Sequence, residues 1–492
     1  MFCVFTKVFP RVSSVPSSIR HNLQRYISFR GGAQGHRVYI AVGSNLGRRF
    51  DNIMRGIDLL CESCSEVMLV RTSTLLETRP MYVSNQPAFL NGVVEIETCL
   101  QPKDLLKRIK DIERKLGRDF NGIRNGPRPL DLDIIMYGVE NERSIEINDD
   151  DELQIPHPRL AEREFVLAPL IDLGASHILH PVFNRTIDSL YKDLQKSTTL
   201  EAIPVLPLPR NRRIYFNETI IMGILNVTPD SFSDGGNFLG NVDMAVNQAL
   251  NMVADGAGII DVGGESTRPG AMEVAIEEEL NRVIPVIKGI RNRSDIPISI
   301  DTRHSQVAKA AVDAGADIVN DVSGGTFDPK MLKTVSQMGV PIILMHMRGT
   351  PETMQSFTQY SNIVDEVATE LRSRSEQAQC AGIHRWHQVL DPGIGFAKDL
   401  EGNLKLLKHY GELQAKLNNI PLLLGTSRKG FIGKLTGEKV ASERDFGTVA
   451  SCVAAICLGG GTSRFNILRV HNVKGVKQGT VIMDAIRGAN LE

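Results

Sequence analysis

Polar side chains recur at the ends of short apolar runs in the second half of this 492-residue chain. Asn226 follows the run Ile220-Ile-Met-Gly-Ile-Leu225, and a segment rich in Asp, Ser and Gly comes directly after it. The other strand-end groups are Asp261, Asp301, Asn320, Asp391, Ser427, Arg428, Lys429, Arg469 and His471. Ligands of α/β proteins bind at the carboxyl ends of parallel strands. The spacing therefore predicts one binding site built from several strand ends.

A pair of carboxylates in the first half of the chain has the spacing of a metal site. Asp131 and Asp133 alternate with apolar residues, so both carboxylates share one face if the segment is a strand. Two carboxylates on one face repel unless a cation lies between them, and their oxygens suit Mg²⁺. The alternative is a solvated pair on an exposed face, which makes the acid pair alone a weak signal.

Basic residues surround this acid pair. Arg118, Arg124 and Arg128 belong to, or directly follow, the glycine-rich segment 117–127. Guanidinium groups bind phosphate oxygens with paired hydrogen bonds. A loop of arginines beside a metal-binding acid pair therefore predicts a site for nucleotide phosphates that does not use a P-loop.

The strand-end groups require a scaffold of alternating strands and helices. The predicted strands are 219–226, 258–262, 297–301, 316–321, 340–346, 387–391, 421–425 and 465–470. The helix-length segments between them include Val242–Asp255, Glu273–Arg293, Ser305–Ala314 and Ile363–Ala381. Eight such units predict a (β/α)8 TIM barrel over 214–492. A doubly wound open sheet is the competing architecture, and the absence of a GxGxxG after the first strand weakens it.

The acid pair requires a different, smaller scaffold. Residues 37–190 predict a ferredoxin-like α+β domain in which two helices pack on an antiparallel sheet. Its predicted strands are 38–42, 88–97 and 130–136, and its predicted helices are 50–65 and 103–116. Between the two domains, the prolines of 195–213 predict an extended linker, since proline disfavours both helix and central strand.

Composition narrows the function classes further. The net charge of −1 argues against a basic nucleic-acid binder, and no apolar run is long enough to predict a membrane span. Residues 1–33 contain five Lys or Arg residues and no acid, which predicts a transit peptide and the mitochondrial matrix. A disordered or tag-like N-terminus is the alternative. Seven cysteines suit a reducing compartment, and we interpret Cys61 and Cys64 as helix thiols rather than a zinc site.

The first domain resembles hydroxymethyl-dihydropterin pyrophosphokinase over about 37–175. The motifs that carry the resemblance are Ala41-Val-Gly-Ser-Asn-Leu-Gly47, Arg128 to Ile134 and Pro156-His157. The resemblance implies ATP as substrate and transfer of its β,γ-pyrophosphoryl group to a dihydropterin. Asp131 and Asp133 would hold two Mg²⁺ ions, with Asp133 among the catalytic residues. The residues implied to bind ATP and its phosphates are Glu113, Arg118, Arg128, His157 and Arg163, of which Arg118 and Arg128 would be catalytic.

The same resemblance implies a pterin pocket in the first domain. Its residues would be Thr78, Met81, Phe89, Asn91 and Phe165. The Asn91 amide suits the donors and acceptors of a pterin, and the phenyl rings can stack on its plane. For Phe89 and Phe165 taken alone, core packing is the alternative. Asn125 and Pro158 depart from the family pattern, since Trp and Tyr often occupy these positions.

The second domain resembles dihydropteroate synthase over about 214–492, on several strand-end motifs in matching order. The resemblance implies that p-aminobenzoate displaces pyrophosphate from the activated pterin. The pterin would be bound by Asp301, Asn320, Asp391 and Lys429. Pyrophosphate and p-aminobenzoate would be bound by Thr267, Arg268, Ser427, Arg428, Arg469 and His471. Asn226 would hold one Mg²⁺, and Lys429 and Arg469 would be catalytic.

Several alternatives stay open at this stage. For Arg303 and Asp321, salt bridges at the barrel rim are as plausible as a role in the site, and for His346 and Arg348 we favour structural hydrogen bonds. A methyltetrahydrofolate methyltransferase would explain Asp301, but not Arg469, His471 or the first domain. A non-enzymatic scaffold is the other rival. The family resemblance also implies small-molecule substrates, inhibition by sulfonamides and at least a dimer through the barrel. Net charge and the lengths of the apolar runs predict no nucleic-acid or membrane partner.

Overall fold

The structure of the protein is a computed structural model, which describes residues 35–62, 66–123, 125–139, 143–149, 152–197, 202–228, 238–265, 274–459 and 466–488. The predicted presequence, Cys64, Thr267 and Arg268 lie outside these ranges. The chain divides into two compact units at Ala202–Ile203, apart from the short segments 74–76 and 379–382, which group with the opposite unit. None of the described helices is long and apolar enough to cross a membrane.

The first unit is built on an antiparallel sheet. Its strands are β1 His36–Ser44, β2 Val67–Thr72, β3 Leu75–Thr78, β4 Phe89–Thr98, β5 Asp131–Tyr137, β6 Ile147–Asp149, β7 Leu153–Ile155, β8 Leu179–His180 and β9 Arg185–Thr186. Its α-helices are Arg49–Leu60, Pro102–Lys115, Glu164–Asp172 and Ile187–Ser197. The strands follow the order β3-β4-β1-β5, and β2 also pairs with β4. This is the predicted α+β architecture, with additional short strands and two additional helices.

Strand β1 lies between β4 and β5 and sets the register of the site. Gly43 is opposite Asn91 on β4 and opposite Asp131 on β5. Along β5, half-buried Asp131 and Asp133 alternate with buried Leu132 and Ile134, as the period-2 pattern predicts. The register therefore places an amide and a carboxylate on the two strands that flank Gly43 of β1.

The helix Pro102–Lys115 has favourable ends. Proline occupies its first turn, Asp104 lies in that turn, and Arg114 and Lys115 lie in the last turn, which matches the helix dipole. The other predicted helix, 50–65, is shorter in the structure: it ends at Leu60, and Cys61 follows it. The Cys- and Ser-containing segment after Leu60 has low helix propensity, which accounts for the early end.

The second unit contains a closed barrel of eight parallel strands, β12 to β19 in chain order. They are β12 Ile220–Asn226, β13 Ile259–Gly263, β14 Ile298–Asp301, β15 Ile318–Asp321, β16 Ile342–Met345, β17 Gln388–Asp391, β18 Leu422–Leu424 and β19 Asn466–Val470. The α-helices are Phe238–Ala254, Ile276–Arg291, Ser305–Ala314, Met331–Met338, Ile363–Cys380, Leu400–Lys408, Tyr410–Lys416, Gly430–Thr436, Asp445–Leu458 and Val473–Gly488. The TIM-barrel prediction is confirmed, and the open sheet is excluded by the pairing of β12 with β19.

The proline-rich segment differs from the prediction. It forms a hairpin, β10 Ile203–Leu208 and β11 Arg212–Tyr215, rather than a spacer. Proline lacks an N–H but keeps its carbonyl, and the Pro204 carbonyl accepts from the Phe216 amide at 2.9 Å. Buried side chains of the hairpin share a core with residues near the amino ends of the barrel strands, including Met222 and Ile259. The hairpin therefore closes the barrel end opposite the strand-end polar groups.

Candidate active sites

A cavity of about 500 Å³ opens in the first unit beside β1, β4 and β5. It gathers nearly all residues that the sequence assigned to this domain. They are Thr78, Met81, Phe89, Asn91, Arg118, Arg128, Asp131, Asp133, His157, Arg163 and Phe165. Asn125 and Pro158 also line it. The acids and arginines of the lining define a charged end, and two of these arginines, Arg128 and Arg163, also lie over the rings of Phe89 and Phe165.

The acid pair is held by arginines at the charged end. Asp131 Oδ1 accepts from Arg118 at 2.6 Å and from Arg128 at 3.1 Å. Burial acts to raise the pKa of Asp131, but Arg128 and Arg118 outweigh it and lower the pKa below its usual value. Asp133 makes a longer contact of 3.8 Å with Arg163. The Asp131 carboxylate is therefore ionised, and Asp133 is the less constrained of the two.

Glu113 does not line the cavity, in contrast to the other residues assigned to ATP. Its side chain is fully buried behind the acid pair. One carboxylate oxygen accepts from Arg118 and from the Leu132 amide, and the other accepts from Lys110 at 2.9 Å. Burial raises the pKa of Glu113, and Lys110 and Arg118 oppose that effect. In this structure Glu113 supports Arg118 and the backbone between the two aspartates.

The amide and phenyl groups of the same cavity suit a flat heterocycle. Asn91 Nδ2 donates to Thr78 Oγ1 at 2.8 Å in a buried position, so the amide orientation is fixed. A Cβ at Gly43 would lie 2.6 Å from Asn91 Oδ1. Phe89 and Phe165 line the same cavity, while the side chain of Met81 is 52% exposed at its mouth.

Two cavity-supporting residues were not assigned from the sequence. Asn45 accepts from the Arg128 amide at 2.7 Å and donates to Gln86 at 3.0 Å. Gln86 in turn donates to the Asn125 carbonyl at 2.9 Å. Asn45 lies within a motif that carried the family resemblance, which was the available signal. Gln86 lies in a loop without a recognisable sequence motif, so the sequence gave no signal for it.

His157 lies at the charged end with its backbone tied to β5. Its amide donates to the Ile135 carbonyl at 2.9 Å, and its Nδ1 accepts from the Arg159 amide at 3.1 Å. Burial lowers the pKa of His157, although Asp133 opposes the shift. A neutral ring with Nδ1 engaged leaves Nε2 as the hydrogen-bond donor.

In the barrel, Asp261 joins several strand-end groups. Its Oδ2 accepts from Arg469 at 2.6 Å and from Asn320 at 3.1 Å. Arg469 also donates to Asp301 Oδ2 at 2.5 Å. Burial acts to lower the pKa of Arg469, but Asp261 and Asp301 outweigh it and raise the pKa. The structure thus brings predicted Asp301, Asn320 and Arg469 together through Asp261, a predicted strand-end group to which the sequence assigned no ligand.

Asp301 keeps an oxygen available. Its Oδ1 is buried and accepts no hydrogen bond from the described residues. Burial raises the pKa of Asp301 to about 7, against the opposing effect of Arg469. A Cβ at Gly263 would lie 3.5 Å from Asp301 Cβ and 3.9 Å from Asn226 Oδ1, so the glycine leaves room between these groups. A buried acceptor of this kind fits a ligand N–H donor.

Asp391 and Lys429 are the other two strand-end groups to which the sequence assigned the pterin. Burial raises the pKa of Asp391, and the Gly393 amide, which donates to Oδ1 at 2.7 Å, opposes the shift together with Lys429. Burial lowers the pKa of half-buried Lys429 to about 8, with Asp391 opposing. The Lys429 ammonium lies 3.9 Å from the centre of the Phe396 ring.

Ser427 and His471 are in contact, whereas the side chain of Arg428 pairs with Asp445. Ser427 Oγ lies 2.9 Å from His471 Nδ1 and accepts from the His471 amide at 3.1 Å. Arg428 has a left-handed φ of 58° and forms two hydrogen bonds with Asp445, at 2.7 and 2.9 Å. Arg428 is therefore committed to an ion pair, and Ser427 and His471 remain together at the strand ends.

The rim residues have structural partners. Arg303 forms two hydrogen bonds with Glu265, at 3.1 and 2.8 Å. Asp321 accepts from the amides of Ser323 and Gly325, both at 2.8 Å. The structural interpretation of His346 and Arg348 also holds, because both contact Glu370.

Two family models match the chain, one for each unit. The model for 7,8-dihydro-6-hydroxymethylpterin-pyrophosphokinase matches residues 39–175. The model for pterin binding enzymes matches residues 222–471. The first match contains the residues of the first-unit cavity, and the second contains the strand-end groups of the barrel from Asn226 to His471.

Known proteins match the chain in the same way. Folic acid synthesis protein fol1 of Pneumocystis carinii is 43% identical over 94% of this chain, which spans 61% of that relative's length. The mitochondrial folate synthesis bifunctional protein of Arabidopsis thaliana is 42% identical over 92% of this chain and 83% of its own. A crystal structure of Yersinia pestis dihydropteroate synthase with a sulfonamide drug complex has a TM-score of 0.53 and 39% identity, covering 58% of this chain and all of its own. The chain therefore belongs to the family of bifunctional folate-synthesis proteins, which join a hydroxymethyl-dihydropterin pyrophosphokinase to a dihydropteroate synthase.

Proposed function

We propose the following roles for the residues of the two sites. In the first unit, the hydroxymethyl group of the dihydropterin loses its hydroxyl proton as its oxygen attacks the β-phosphorus of ATP, the bond between that phosphorus and the oxygen bridging to the α-phosphorus breaks, and AMP leaves. In the barrel, the amine of p-aminobenzoate attacks the pterin methylene carbon, pyrophosphate leaves, and the amine loses a proton. The observation that carries the proposal is the convergence of acids, arginines and an amide on the first-unit cavity.

In the kinase cavity, Arg118 and Arg128 bind the transferring phosphates. Both guanidinium groups already meet at Asp131, and planar guanidinium groups match phosphate oxygens. His157 and Arg163 contact the remainder of ATP. Positive charge fixed before the substrate arrives stabilises the charge that develops during transfer.

The acid pair fits a magnesium site. Asp131 and Asp133 offer carboxylate oxygens on one face of β5, and Mg²⁺ characteristically binds one or two carboxylates together with substrate phosphates. Asp131 and Asp133 would hold the two ions, and bound Mg²⁺ would neutralise phosphate charge. In the barrel, Asn226 would hold a single Mg²⁺.

The pterin of the kinase reaction stacks between Phe89 and Phe165. The fixed amide of Asn91 reads its edge, and its hydrogen bond with Thr78 supports that orientation. Met81 covers the mouth of the cavity. Offset stacking on phenyl rings favours a flat heterocycle.

In the barrel, Asp301, Asn320 and Asp391 read the ring N–H and amino groups of the pterin, and Lys429 contacts another edge. Oδ1 of Asp301, which has no hydrogen-bond partner among the residues that the structure describes, supports this role, because a carboxylate facing a 2-aminopyrimidinone forms paired, charge-assisted hydrogen bonds. The leaving pyrophosphate contacts Arg469 and His471. The family resemblance adds Thr267 and Arg268 to them. Ser427 borders the p-aminobenzoate pocket, and so does Arg428, with its guanidinium group held by Asp445.

A sulfonamide would compete with p-aminobenzoate in the barrel. The Yersinia pestis synthase structure was determined with a sulfonamide drug complex, which supports a similar pocket here. Dihydropteroate formation should therefore fall with added sulfonamide and recover with excess p-aminobenzoate. Inhibition that does not recover would contradict this assignment.

We also propose mitochondrial targeting by residues 1–33 and self-association through the barrel. The Arabidopsis relative is named mitochondrial. Exposed apolar side chains on two barrel helices, Phe446, Leu458, Ile482 and Ile486, suit a second copy of the chain. Matrix import of a fluorescent fusion with and without 1–33 tests the first proposal, and sedimentation equilibrium tests the second.

Two substitutions test the assignment of chemistry to the units. Asp133→Ala should abolish AMP release and leave dihydropteroate formation from supplied pterin pyrophosphate intact. Lys429→Ala should abolish dihydropteroate formation and leave AMP release intact. Undiminished AMP release in Asp133→Ala would overturn the metal role, and undiminished dihydropteroate in Lys429→Ala would overturn the role of the lysine.

A further inference from the structure

The barrel contains a buried lysine to which the proposed chemistry gives no role. Lys398 lies in the loop after β17 and is 4% exposed. Burial lowers the pKa of Lys398 to about 7, against the opposing effect of Asp391. An ammonium group buried this deeply is costly unless it is well hydrogen-bonded, so its partners indicate why the fold keeps it.

Lys398 ends a chain of side-chain hydrogen bonds. Its Nζ lies 3.0 Å from His346 Nδ1, and His346 Nε2 lies 3.0 Å from a carboxylate oxygen of Glu370. Burial lowers the pKa of His346 to about 4, so the imidazole is neutral. A neutral ring that donates from Nε2 to a carboxylate accepts at Nδ1, and Lys398 is therefore the donor to His346.

The second partner of Lys398 is the backbone of its own loop. Nζ donates to the Phe396 carbonyl at 2.8 Å. Between them, Ala397 adopts a left-handed φ of 49°, a conformation that costs free energy in a residue with a Cβ. The lysine thus holds a strained turn closed and ties it to His346, which follows β16.

The loop held in this way contacts two of the four groups proposed to bind the pterin, Lys429 and Asp391. The Phe396 ring lies against the Lys429 ammonium at 3.9 Å. A Cβ at Gly395 would lie 3.0 Å from Lys429 Cδ, so the backbone itself approaches the lysine. The Gly393 amide donates to Asp391 at 2.7 Å. Displacement of the loop would move Lys429 and Asp391 relative to each other.

We propose that Lys398 is a positioning residue of the synthase site, which acts through the Phe396 carbonyl and His346 to hold Lys429 and Asp391 at the spacing that the pterin requires. The inference rests on the proposed pterin-binding roles of Lys429 and Asp391. Groups fixed by a supporting layer of hydrogen bonds keep the geometry that a reaction needs. Lys398 itself would not touch the substrate.

The test uses the full chain and the pyrophosphorylated dihydropterin as variable substrate. Lys398→Met keeps the length of the side chain and removes the ammonium. It should raise the KM for this pterin about 10- to 100-fold, because small misplacements of binding groups cost this much. The KM for p-aminobenzoate and the rate of AMP release should stay at wild-type values. Lys408→Met, at an exposed lysine of the next helix, is the matched control.

A second pair of variants separates positioning from general stability. In His346→Asn the amide oxygen can replace Nδ1 as acceptor for Lys398, and the pterin KM should stay near the wild-type value. His346→Leu offers no acceptor and should behave like Lys398→Met. If Lys398→Met does not fold, as judged by lost AMP release and a lowered melting temperature, the two His346 variants decide the question.

The outcomes distinguish this inference from the proposed site. A Lys429→Ala variant with undiminished dihydropteroate formation would overturn the role of Lys429 itself. If Lys429→Ala loses dihydropteroate formation and Lys398→Met keeps the wild-type pterin KM, the positioning role alone is overturned. Equal increases in KM for both substrates would also overturn it, because they would indicate general damage to the barrel.

Discussion

At the residue scale, the barrel site depends on a carboxylate with two partners. Asp261 is fully buried within β13 and binds both Arg469 and Asn320. The sequence predicted that the strand-end groups form one site, but it did not predict the hydrogen bonds of Asp261 with Arg469 and Asn320. An acid inside the run Ile259–Gly263 was the available signal, but strand periodicity does not tell which side chain across a barrel it meets.

The first prediction concerns the pH dependence of the synthase reaction. Asp301, with a pKa raised to about 7, accepts ligand hydrogens only when deprotonated, so kcat/KM should fall as pH decreases through that value. Lys429, with a pKa lowered to about 8, loses its charge above that value, so kcat/KM should fall again. A pH–rate profile with supplied pterin pyrophosphate measures both limbs. A profile that is flat from neutral to mildly alkaline pH would contradict these assignments.

The second prediction concerns Glu113 in the kinase. Glu113→Gln keeps the volume but removes the charge that supports Arg118 and the Leu132 amide. AMP release should fall about 10- to 100-fold, because Arg118 and the acid pair would lose their fixed spacing. Asp111→Asn, on the exposed face of the same helix, is the control. Unchanged AMP release in Glu113→Gln would show that the buried carboxylate is dispensable.

At the element scale, long apolar runs were predicted well and short paired segments were not. All eight barrel strands lie within the predicted ranges to about one or two residues, since each is an Ile-, Val- or Leu-rich run between helices. Strands β8 and β9 have two residues each, too few for a period. The hairpin β10–β11 was missed because proline argues against strands, whereas its left-handed turn at Arg210 and Asn211 appears only in the backbone.

The third prediction concerns the attachment of this hairpin to the barrel. Asp317 is fully buried and binds Arg210, Arg212 and Arg291. Asp317→Asn would leave three guanidinium groups without their carboxylate and should lower the free energy of unfolding by about 3 kcal/mol. Denaturant unfolding of the barrel measures the change. The control is Asp313→Asn, at an exposed ion pair with Lys309. Equal losses of unfolding free energy in both variants would contradict the role of Asp317 in attaching the hairpin.

At the scale of the whole molecule, the two units perform successive steps. The kinase product carries the pyrophosphate that the barrel displaces, so one chain can convert a hydroxymethyl-dihydropterin to dihydropteroate. The family, both units and the (β/α)8 fold could be predicted from sequence motifs. The roles of Asp261 and Lys398 could not, because each depends on contacts between residues far apart in the chain. Glu113 was predicted to contact ATP, and only the structure shows its carboxylate buried against Arg118 and the Leu132 amide.

The most direct test of the account is a single reaction of residues 34–492 with ATP, Mg²⁺, 6-hydroxymethyl-dihydropterin and p-aminobenzoate. One chromatogram quantifies AMP and dihydropteroate together. The account predicts that both products form and that dihydropteroate disappears when ATP is omitted. AMP without dihydropteroate would contradict the barrel assignment, and the absence of both products would contradict the bifunctional account.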